Sequence, residues 1–287
     1  MKNAIEINNL CKSYSDFTLD NVSFAVPEGS IMGFIGENGA GKTTTILSML
    51  NIIQPSHGEV QILGLSPYQD ALRVNAQIGV VMEDCFFYAG LRVSDISPIM
   101  RGIYQNWDER EFTDMLRRFS LPEKKFIREY SRGMKMKLQL AAALAHKPKL
   151  LILDEATSGL DPVVRSEMLD LFMEFIQDEQ HSILLSSHIT ADLEKVADYI
   201  TFIHQGKIVF TRNKDDIMQS YAVVKCTESD LAALDKTVLA GVRRSHFGCE
   251  ALINNRQEVQ RRFPHLLVDS VSLDDIMTFI AKEGCTC

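Results

Sequence analysis

Five short apolar runs lie between residues 31 and 204, and a polar or glycine-containing segment follows each of them. Apolar runs of this length, bounded by such segments, are typical of buried β-strands. Doubly wound parallel sheets collect ligand-binding groups at the carboxyl ends of their strands. The pattern therefore predicts an α/β fold with strands at "IMGFI" (31–35), "IGVVM" (78–82), "LLILD" (150–154), "SILLSS" (182–187) and "YITFIH" (199–204).

Between residues 86 and 147 the apolar positions change to a helical spacing. In "WDEREFTDMLRRFSL" they recur at intervals that place them on one face of a helix. That face comprises Phe112, Met115, Leu116 and Phe119. We therefore expect a helical insertion over about residues 86–147.

After "GKIVFTRN" the pattern changes again, and strand-like and helix-like stretches alternate from residue 221 to residue 270. Their order is strand, helix, strand, strand, helix, strand, which matches the ferredoxin-like unit. We therefore expect an α/β domain over residues 1–215 and a small α+β extension over residues 216–287.

The charge balance disfavours a nucleic-acid partner. The 287 residues include 30 basic and 38 acidic side chains, a formal net charge of −8, so the chain has no overall positive field. A spanning apolar stretch and a signal-like N-terminus are both lacking, which predicts a cytoplasmic protein. The six cysteines lack paired metal-ligand spacing, and we interpret them as reduced thiols.

The stretch "GENGAGKTT" (36–44) fits the P-loop pattern, in which two glycines separated by four residues precede lysine and a hydroxyl residue. In such a loop the backbone N–H groups from Asn38 to Thr44 face phosphates. Lys42 would reach the β and γ oxygens, and Thr43 would hold Mg²⁺. A purely structural glycine turn before a helix would need neither side chain.

The segment "LLILDEATSGLDP" places two acids directly at the end of a predicted buried strand. Asp154 is positioned to support a metal ion through its water shell, and Glu155 to orient or deprotonate an attacking water molecule. The alternative is that these acids cap the following helix.

Upstream, "EYSRGMKMKLQLAAALAHKPK" carries Ser131 and Gly133 at the start of a predicted amphipathic helix. A helix N-terminus with these residues is another potential anion site. On this segment alone, an N-cap followed by a buried helix is the favoured interpretation.

Together these motifs resemble the nucleotide-binding subunit of ABC transporters, over about residues 4–215. "GENGAGKTT" resembles the Walker A loop, "YSRGM" the signature, "LLILDE" Walker B, "SGLD" (158–161) the D-loop and "SSH" the H-loop, and they occur in the family's order. The resemblance implies a P-loop NTPase with a RecA-like core and a helical subdomain.

The resemblance also implies an ATPase that uses ATP and Mg²⁺, with roles for particular residues. Tyr14 would stack on adenine, Glu155 would act as the catalytic base, and His188 would contact the γ-phosphate. Nucleotide contacts would come from Tyr14, Gly36, Glu37, Asn38, Gly39, Ala40, Gly41, Lys42, Thr43, Thr44, Ser131, Gly133 and Asp161. Metal binding would come from Thr43, Glu83 and Asp154.

Two positions depart from the family's usual motifs. Arg132 occupies the place of the middle glycine of the signature, and Glu83 occupies the place of the Q-loop glutamine. Both glutamine and glutamate offer an oxygen to Mg²⁺, but the carboxylate adds a negative charge beside a triphosphate. Acidic residues here and "YS-x-G-M" signatures resemble those of bacterial ABC-2 type exporters and YtrB-like ATPases.

The resemblance implies two partners: a transmembrane permease on a separate chain and a second cassette, either a copy of this chain or a related ATPase. The chain would then lie on the cytoplasmic face of the cell membrane and energise transport, with export as the expected direction. A soluble ABC ATPase with a non-transport regulatory role is the alternative. No nucleic-acid partner is expected.

Overall fold

The computed structural model describes residues 2–245 and 248–283. The chain divides into two units, Met1–Thr211 and Arg212–Cys287. Cys285 and Cys287, which we interpret as reduced thiols, lie outside the described residues. Within the described residues, no helix is both long enough and apolar enough to cross a membrane.

The elements of the first part of the chain begin with a hairpin and then alternate between strands and helices. The strands are β1 (Asn3–Ser13), β2 (Thr18–Pro27), β3 (Ile31–Ile35), β4 (His57–Ile62), β5 (Ile78–Val81), β6 (Leu150–Asp154), β7 (Ser182–Ser187), β8 (Tyr199–His204) and β9 (Lys207–Asn213). The helices are α1 (Lys42–Met49), α2 (Ala71–Asn75), α3 (Val93–Ile103), α4 (Glu109–Arg118), α5 (Arg132–Leu144), α6 (Pro162–Phe175) and α7 (Thr190–Val196), with a short 3-10 turn at Ile127–Glu129.

The central sheet of this unit has the strand order β5-β6-β7-β3-β8-β9 among the described residues. The pairs β5–β6, β6–β7, β3–β7 and β3–β8 are parallel. Strands β3, β6 and β7 are completely buried, which explains why each contains consecutive apolar residues, "IMGFI", "LLIL" and "ILL", rather than an alternating pattern. The predicted α/β fold is confirmed, and of the five predicted strands only β5 ends one residue earlier than expected.

A second sheet, with the order β2-β1-β4, is antiparallel and covers part of the first. Its inward residues, such as Ile5 and Phe24, belong to one apolar core with Phe34 of β3 and Ile152 of β6. The rings of Phe24 and Phe34 lie 5.2 Å apart between centroids. This core fixes the strands whose carboxyl ends carry the polar motifs.

The stretch from residue 86 to residue 147 contains helices α3, α4 and α5. Helix α4 begins after Asp108, whose carboxylate accepts hydrogen bonds from the N–H groups of Arg110 and Glu111. Its buried residues are Phe112, Met115 and Leu116. The helical period read from the sequence therefore matches the buried face of this helix.

The second unit, Arg212–Cys287, contains α8 (Lys214–Ser220), β10 (Ala222–Cys226), α9 (Glu228–Ala233), β11 (Leu239–Ser245), β12 (Gly248–Ile253), α10 (Arg256–Arg262), β13 (Leu267–Asp269) and α11 (Leu273–Glu283). Its strands form an antiparallel sheet in the order β11-β12-β10-β13. A small core that includes Val224, Ala251 and Val259 lies against this sheet. From β10 to β13 the order of strands and helices is βαββαβ, and we interpret the unit as a ferredoxin-like α+β extension.

The protein should lose stability on mild acidification because of His146, a buried residue directly after α5. Its Nε2 donates a hydrogen bond of 2.9 Å to the carbonyl of Ile78, and its ring stacks on Tyr104. Burial lowers the pKa of His146 from 6.5. The unfolded chain therefore binds a proton at a higher pH than the folded chain, so the free energy of unfolding falls as pH drops below about 6.5.

We expect His146→Gln, which cannot titrate, to reduce this dependence by at most about 1.4 kcal/mol per pH unit. Urea unfolding of both proteins at pH 7.5 and pH 5.5 measures the effect. Equal losses of stability in the two proteins would contradict it.

Candidate functional site

The glycine-rich loop joins the end of β3 at Ile35 to the start of α1 at Lys42. Gly36 is enclosed, since a methyl group there would lie 2.6 Å from the carbonyl oxygen of Ile203. Gly41 precedes the helix at φ 113°, a conformation that favours glycine. The loop thus turns tightly and directs backbone N–H groups of the first turn of α1 outward, where an anion can bind.

Lys42 is 5% exposed and is held by two kinds of partner. Its ammonium group donates a hydrogen bond of 2.7 Å to the carbonyl of Gly36. It also lies 3.2 Å from Oε1 of Glu155, at the end of β6. This buried ion pair places a cation between the loop and the acids of the neighbouring motif.

Thr43 and Asp154 are joined directly. The Thr43 hydroxyl donates a hydrogen bond of 2.8 Å to Oδ2 of Asp154, while the Ser186 hydroxyl donates to Oδ1. Burial raises the pKa of Asp154, and the two donated hydrogen bonds oppose that shift. Sequence reasoning did not single out Ser186, although its strand register could have indicated it, since Ser186 lies opposite Asp154 in the β6–β7 pair.

Glu155 is 6% exposed and has a left-handed backbone conformation, with φ 52°. Its N–H donates to the carbonyl and the hydroxyl of Ser186. Its Oε2 accepts a hydrogen bond of 2.7 Å from Nδ1 of His188. The other oxygen, Oε1, is buried and accepts no hydrogen bond from the described residues, although Lys42 lies nearby. A carboxylate oriented in this way can accept a proton from a water molecule.

These groups face a cavity with about 940 Å³ of empty space. Its lining residues are Asp16, Phe17, Glu37, Asn38, Gly39, Gly41, Lys42, Thr43, Thr44, Glu83 and Glu155. Sequence reasoning missed Phe17 and Asp16, and their proximity to Tyr14 in the chain was the available signal. Tyr14 itself is not among the lining residues, and its ring centroid lies 5.6 Å from Nζ of Lys12.

Three residues that the motifs assigned to the nucleotide lie away from this cavity, and two of them cap helices. Ser131 is the N-cap of α5 and accepts a hydrogen bond of 3.3 Å from the N–H of Met134. Asp161 is the N-cap of α6 and accepts from the N–H groups of Val163 and Val164. Gly133 lies in the first turn of α5. Within one chain, the Ser131 and Asp161 side chains therefore serve as helix caps.

The two residues that depart from the usual motifs contact each other. Nη2 of Arg132, at the start of α5, lies 3.0 Å from Oε1 of Glu83, and both side chains are about half exposed. Glu83 follows β5 and lines the cavity described above. The two positions lie in separate motifs, and no sequence pattern predicts that they pair.

The arrangement fits a nucleoside triphosphate. The loop and the N-terminus of α1 provide N–H donors, and Lys42 provides a cation. The acids Asp154 and Glu155 end a strand two places away from β3 in the sheet order. A parallel α/β sheet with a phosphate-binding loop after one strand and acids after another defines the class of P-loop NTPases.

Known proteins resemble the chain in the same way. The ABC transporter family matches residues 19–158. The bacitracin transport ATP-binding protein BcrA of Bacillus licheniformis is 32% identical over 269 residues, which cover 93% of this chain and 87% of that protein. The ABC transporter ATP-binding protein YtrB of Bacillus subtilis (strain 168) is 29% identical over 238 residues, which cover 82% of this chain and 81% of that protein.

Among solved structures, an ATP-binding subunit of an ABC transporter has a TM-score of 0.65 and 28% sequence identity. The match covers 75% of this chain and 91% of that chain. The chain therefore belongs to the ABC transporter family, as an ATP-binding subunit that hydrolyses ATP. The predictions of a P-loop NTPase fold, ATP binding and ATPase activity are confirmed.

Glu155→Gln should retain ATP binding and lose turnover. Glutamine keeps the shape of the side chain but cannot accept a proton, so we expect the turnover number to fall by about 10² to 10⁴. ATP affinity should change by less than about tenfold, or 1.4 kcal/mol. Calorimetric titration with ATP and a phosphate-release assay measure the two effects.

The matched control is Glu174→Gln, which removes an exposed carboxylate that pairs with Arg118. This variant should hydrolyse ATP at the wild-type rate. Unchanged turnover in Glu155→Gln would rule out Glu155 as the proton acceptor.

Proposed function

We propose that this subunit powers the export of a peptide antibiotic or a similar amphipathic compound through a permease on a separate chain. The observation that carries the proposal is the extent of the match to a bacitracin transport protein. It covers 93% of the chain and so continues well beyond the ATP-binding motifs into the second unit. A shared motif set alone would not require that similarity.

Within the proposed cycle, Mg²⁺ bound beside the triphosphate would offset the charge of its oxygens. Thr43 would be a direct ligand, Asp154 would act through the water shell, and Glu83 would offer a further oxygen. The hydrogen bond between Thr43 and Asp154 supports this assignment, because it holds the carboxylate of the water shell beside the proposed direct ligand.

Glu155 is proposed as the general base and His188 as the residue that orients it. The short distance between Nδ1 of His188 and Oε2 of Glu155 supports this pairing. The His188 side chain is 40% exposed, so its remaining ring nitrogen is accessible to a γ-phosphate. Tyr14 is proposed to stack on adenine from beside the cavity, three residues before Phe17, which lines the cavity.

The working unit is proposed to be a head-to-tail pair of cassettes with ATP between them. Lys42, Thr43 and His188 provide donors only from one side of the phosphates, whereas phosphoryl transfer needs them on all sides. Ser131 and Gly133 begin a helix whose N-terminus can bind an anion, but they do not line their own chain's cavity. In a two-fold pair they would face the nucleotide of the second subunit, together with the loop that carries Asp161.

The permease is proposed to dock on the helical segment of the first unit. A largely apolar cavity with about 670 Å³ of empty space lies between β5 and this segment, lined by residues that include Phe86, Phe87, Met100 and Ile103. Phe86 is 61% exposed and Ile103 is 65% exposed. Exposed apolar surface of this kind suits a cytoplasmic helix of a membrane protein, which would hold the chain on the inner face of the membrane.

The second unit is proposed to be an accessory domain that regulates the cassette or contributes to pairing. Residues 216–287 contain no phosphate-binding pattern, and the cavity that faces the P-loop is lined by residues of the first unit.

Co-expression tests the proposed function. Together with a membrane protein encoded beside it, the chain should protect a bacitracin-sensitive bacterium from bacitracin or another peptide antibiotic, measured as the concentration that stops growth. Glu155→Gln should abolish protection, while Glu174→Gln should preserve it. If no membrane protein co-purifies with the chain and its ATPase rate does not respond to membranes, the regulatory alternative replaces the transport proposal.

A further inference from the structure

We propose that Arg132 is a positioning residue that neutralises Glu83 at the edge of the nucleotide cavity and thereby sets how strongly ATP binding depends on Mg²⁺. This inference rests on the proposed Mg²⁺–ATP site. It concerns the two positions that depart from the family's usual motifs, and it treats them as one unit.

The first support is the location of Glu83. It lines the cavity around the P-loop, and it also lines a second cavity that contains Arg132 and Lys135. Glu83 therefore forms part of the wall between the nucleotide and the start of α5. Its carboxylate forms an ion pair of 3.0 Å with Arg132, which lines the second cavity.

The second support is the charge around the P-loop. Among the described residues, this cavity is lined by four carboxylates, Asp16, Glu37, Glu83 and Glu155, and by one cation, Lys42. Lys42 already lies beside Glu155. An unneutralised Glu83 would repel the phosphates of ATP, and a guanidinium group 3.0 Å away reduces that repulsion.

The third support is a contact with the loop that follows β6. A methyl group placed on Gly159 would lie 3.2 Å from Nε of Arg132. The guanidinium group thus packs against the backbone of this loop while it pairs with Glu83 after β5. The Arg132 side chain, at the start of α5, therefore contacts both the segment that follows β5 and the loop that follows β6.

Mg²⁺ and Arg132 then compete for the same carboxylate. While Arg132 holds Glu83, the negative charge is offset and ATP binds with only moderate dependence on the metal. Without Arg132, Glu83 repels metal-free ATP but becomes fully available as an oxygen ligand for Mg²⁺. Loss of the guanidinium group should therefore increase the advantage of Mg²⁺–ATP over metal-free ATP.

The test is a double-mutant cycle with Arg132→Gln, Glu83→Gln and the double variant, using the full chain. Calorimetry gives the dissociation constants of ATP in EDTA and in Mg²⁺. The quantity compared is the dissociation constant in EDTA divided by the dissociation constant in Mg²⁺. We expect Arg132→Gln to weaken metal-free binding about fivefold and to raise the ratio by a similar factor. In the Glu83→Gln background, removal of Arg132 should leave the ratio unchanged.

Two controls separate this effect from a general loss of positive charge or structure. Lys135→Gln removes another cation from the second cavity and should leave the ratio at the wild-type value. Arg132→Lys keeps a positive charge and should restore most of the wild-type ratio. Both side chains of the pair are half exposed, so all variants should keep the wild-type circular dichroism spectrum.

An unchanged ratio in Arg132→Gln would overturn the proposal, as would the same change in Lys135→Gln or a change that persists when Glu83 is glutamine. If the wild-type chain binds ATP but confers no transport, the proposed function fails while this assignment is still decided by the ratios. Absence of ATP binding in the wild-type chain would overturn both.

Discussion

The buried ion pair between Lys42 and Glu155 is the interaction on which the rest of the site depends. It joins the loop after β3 to the end of β6, with both side chains almost fully buried. Burial of two charges is costly, and it is offset only when additional hydrogen bonds satisfy the groups. The carbonyl of Gly36 and the ring of His188 provide such bonds. The left-handed backbone at Glu155 adds a further free-energy cost, which the packing of the fully buried strands β6 and β7 offsets.

Much of the fold could be predicted because its signals are local. Strands β3, β6 and β7 are buried on both faces, so each contains consecutive apolar residues instead of an alternating pattern. The P-loop was equally accessible, because Gly36 and Gly41 are required by a close approach and a left-handed turn within a few residues. The N-cap role of Ser131, one of two interpretations of its segment, is local as well, and the structure contains it.

Other features depend on contacts that no local pattern encodes. Arg132 and Glu83 lie 49 residues apart and meet only because α5 packs beside β5. The turn between β1 and β2 places Phe17 in the cavity wall, whereas Tyr14, three residues earlier, does not line the cavity. Asp161 lies in a motif that resembles the D-loop, and this resemblance suggested a nucleotide contact. Its side chain instead caps the helix that begins at Pro162.

The proposed pairing of two subunits follows from the number of phosphate-binding donors that a single chain can supply. In the proposed site, donors from a single chain would cover one side of the phosphates, and the helix start at Ser131 and Gly133, which does not line its own chain's cavity, would bind the phosphates of a second subunit. ATP that joins two such surfaces would stabilise a closed pair, and hydrolysis would release it, because a ligand shifts an equilibrium only through its preference for one state. A permease attached to both subunits would follow that motion.

The most direct measurement is light scattering of Glu155→Gln with and without Mg²⁺–ATP. We expect a monomer without nucleotide and twice that mass with ATP. Adding Gly133→Asp should return the protein to the monomer, because an acid there repels a second subunit's phosphates yet suits the N-terminus of its own helix. Gly102→Asp, on an open face of α3, should leave the pair intact. A Glu155→Gln protein that binds ATP and stays monomeric at high concentration would contradict pairing between copies of this chain.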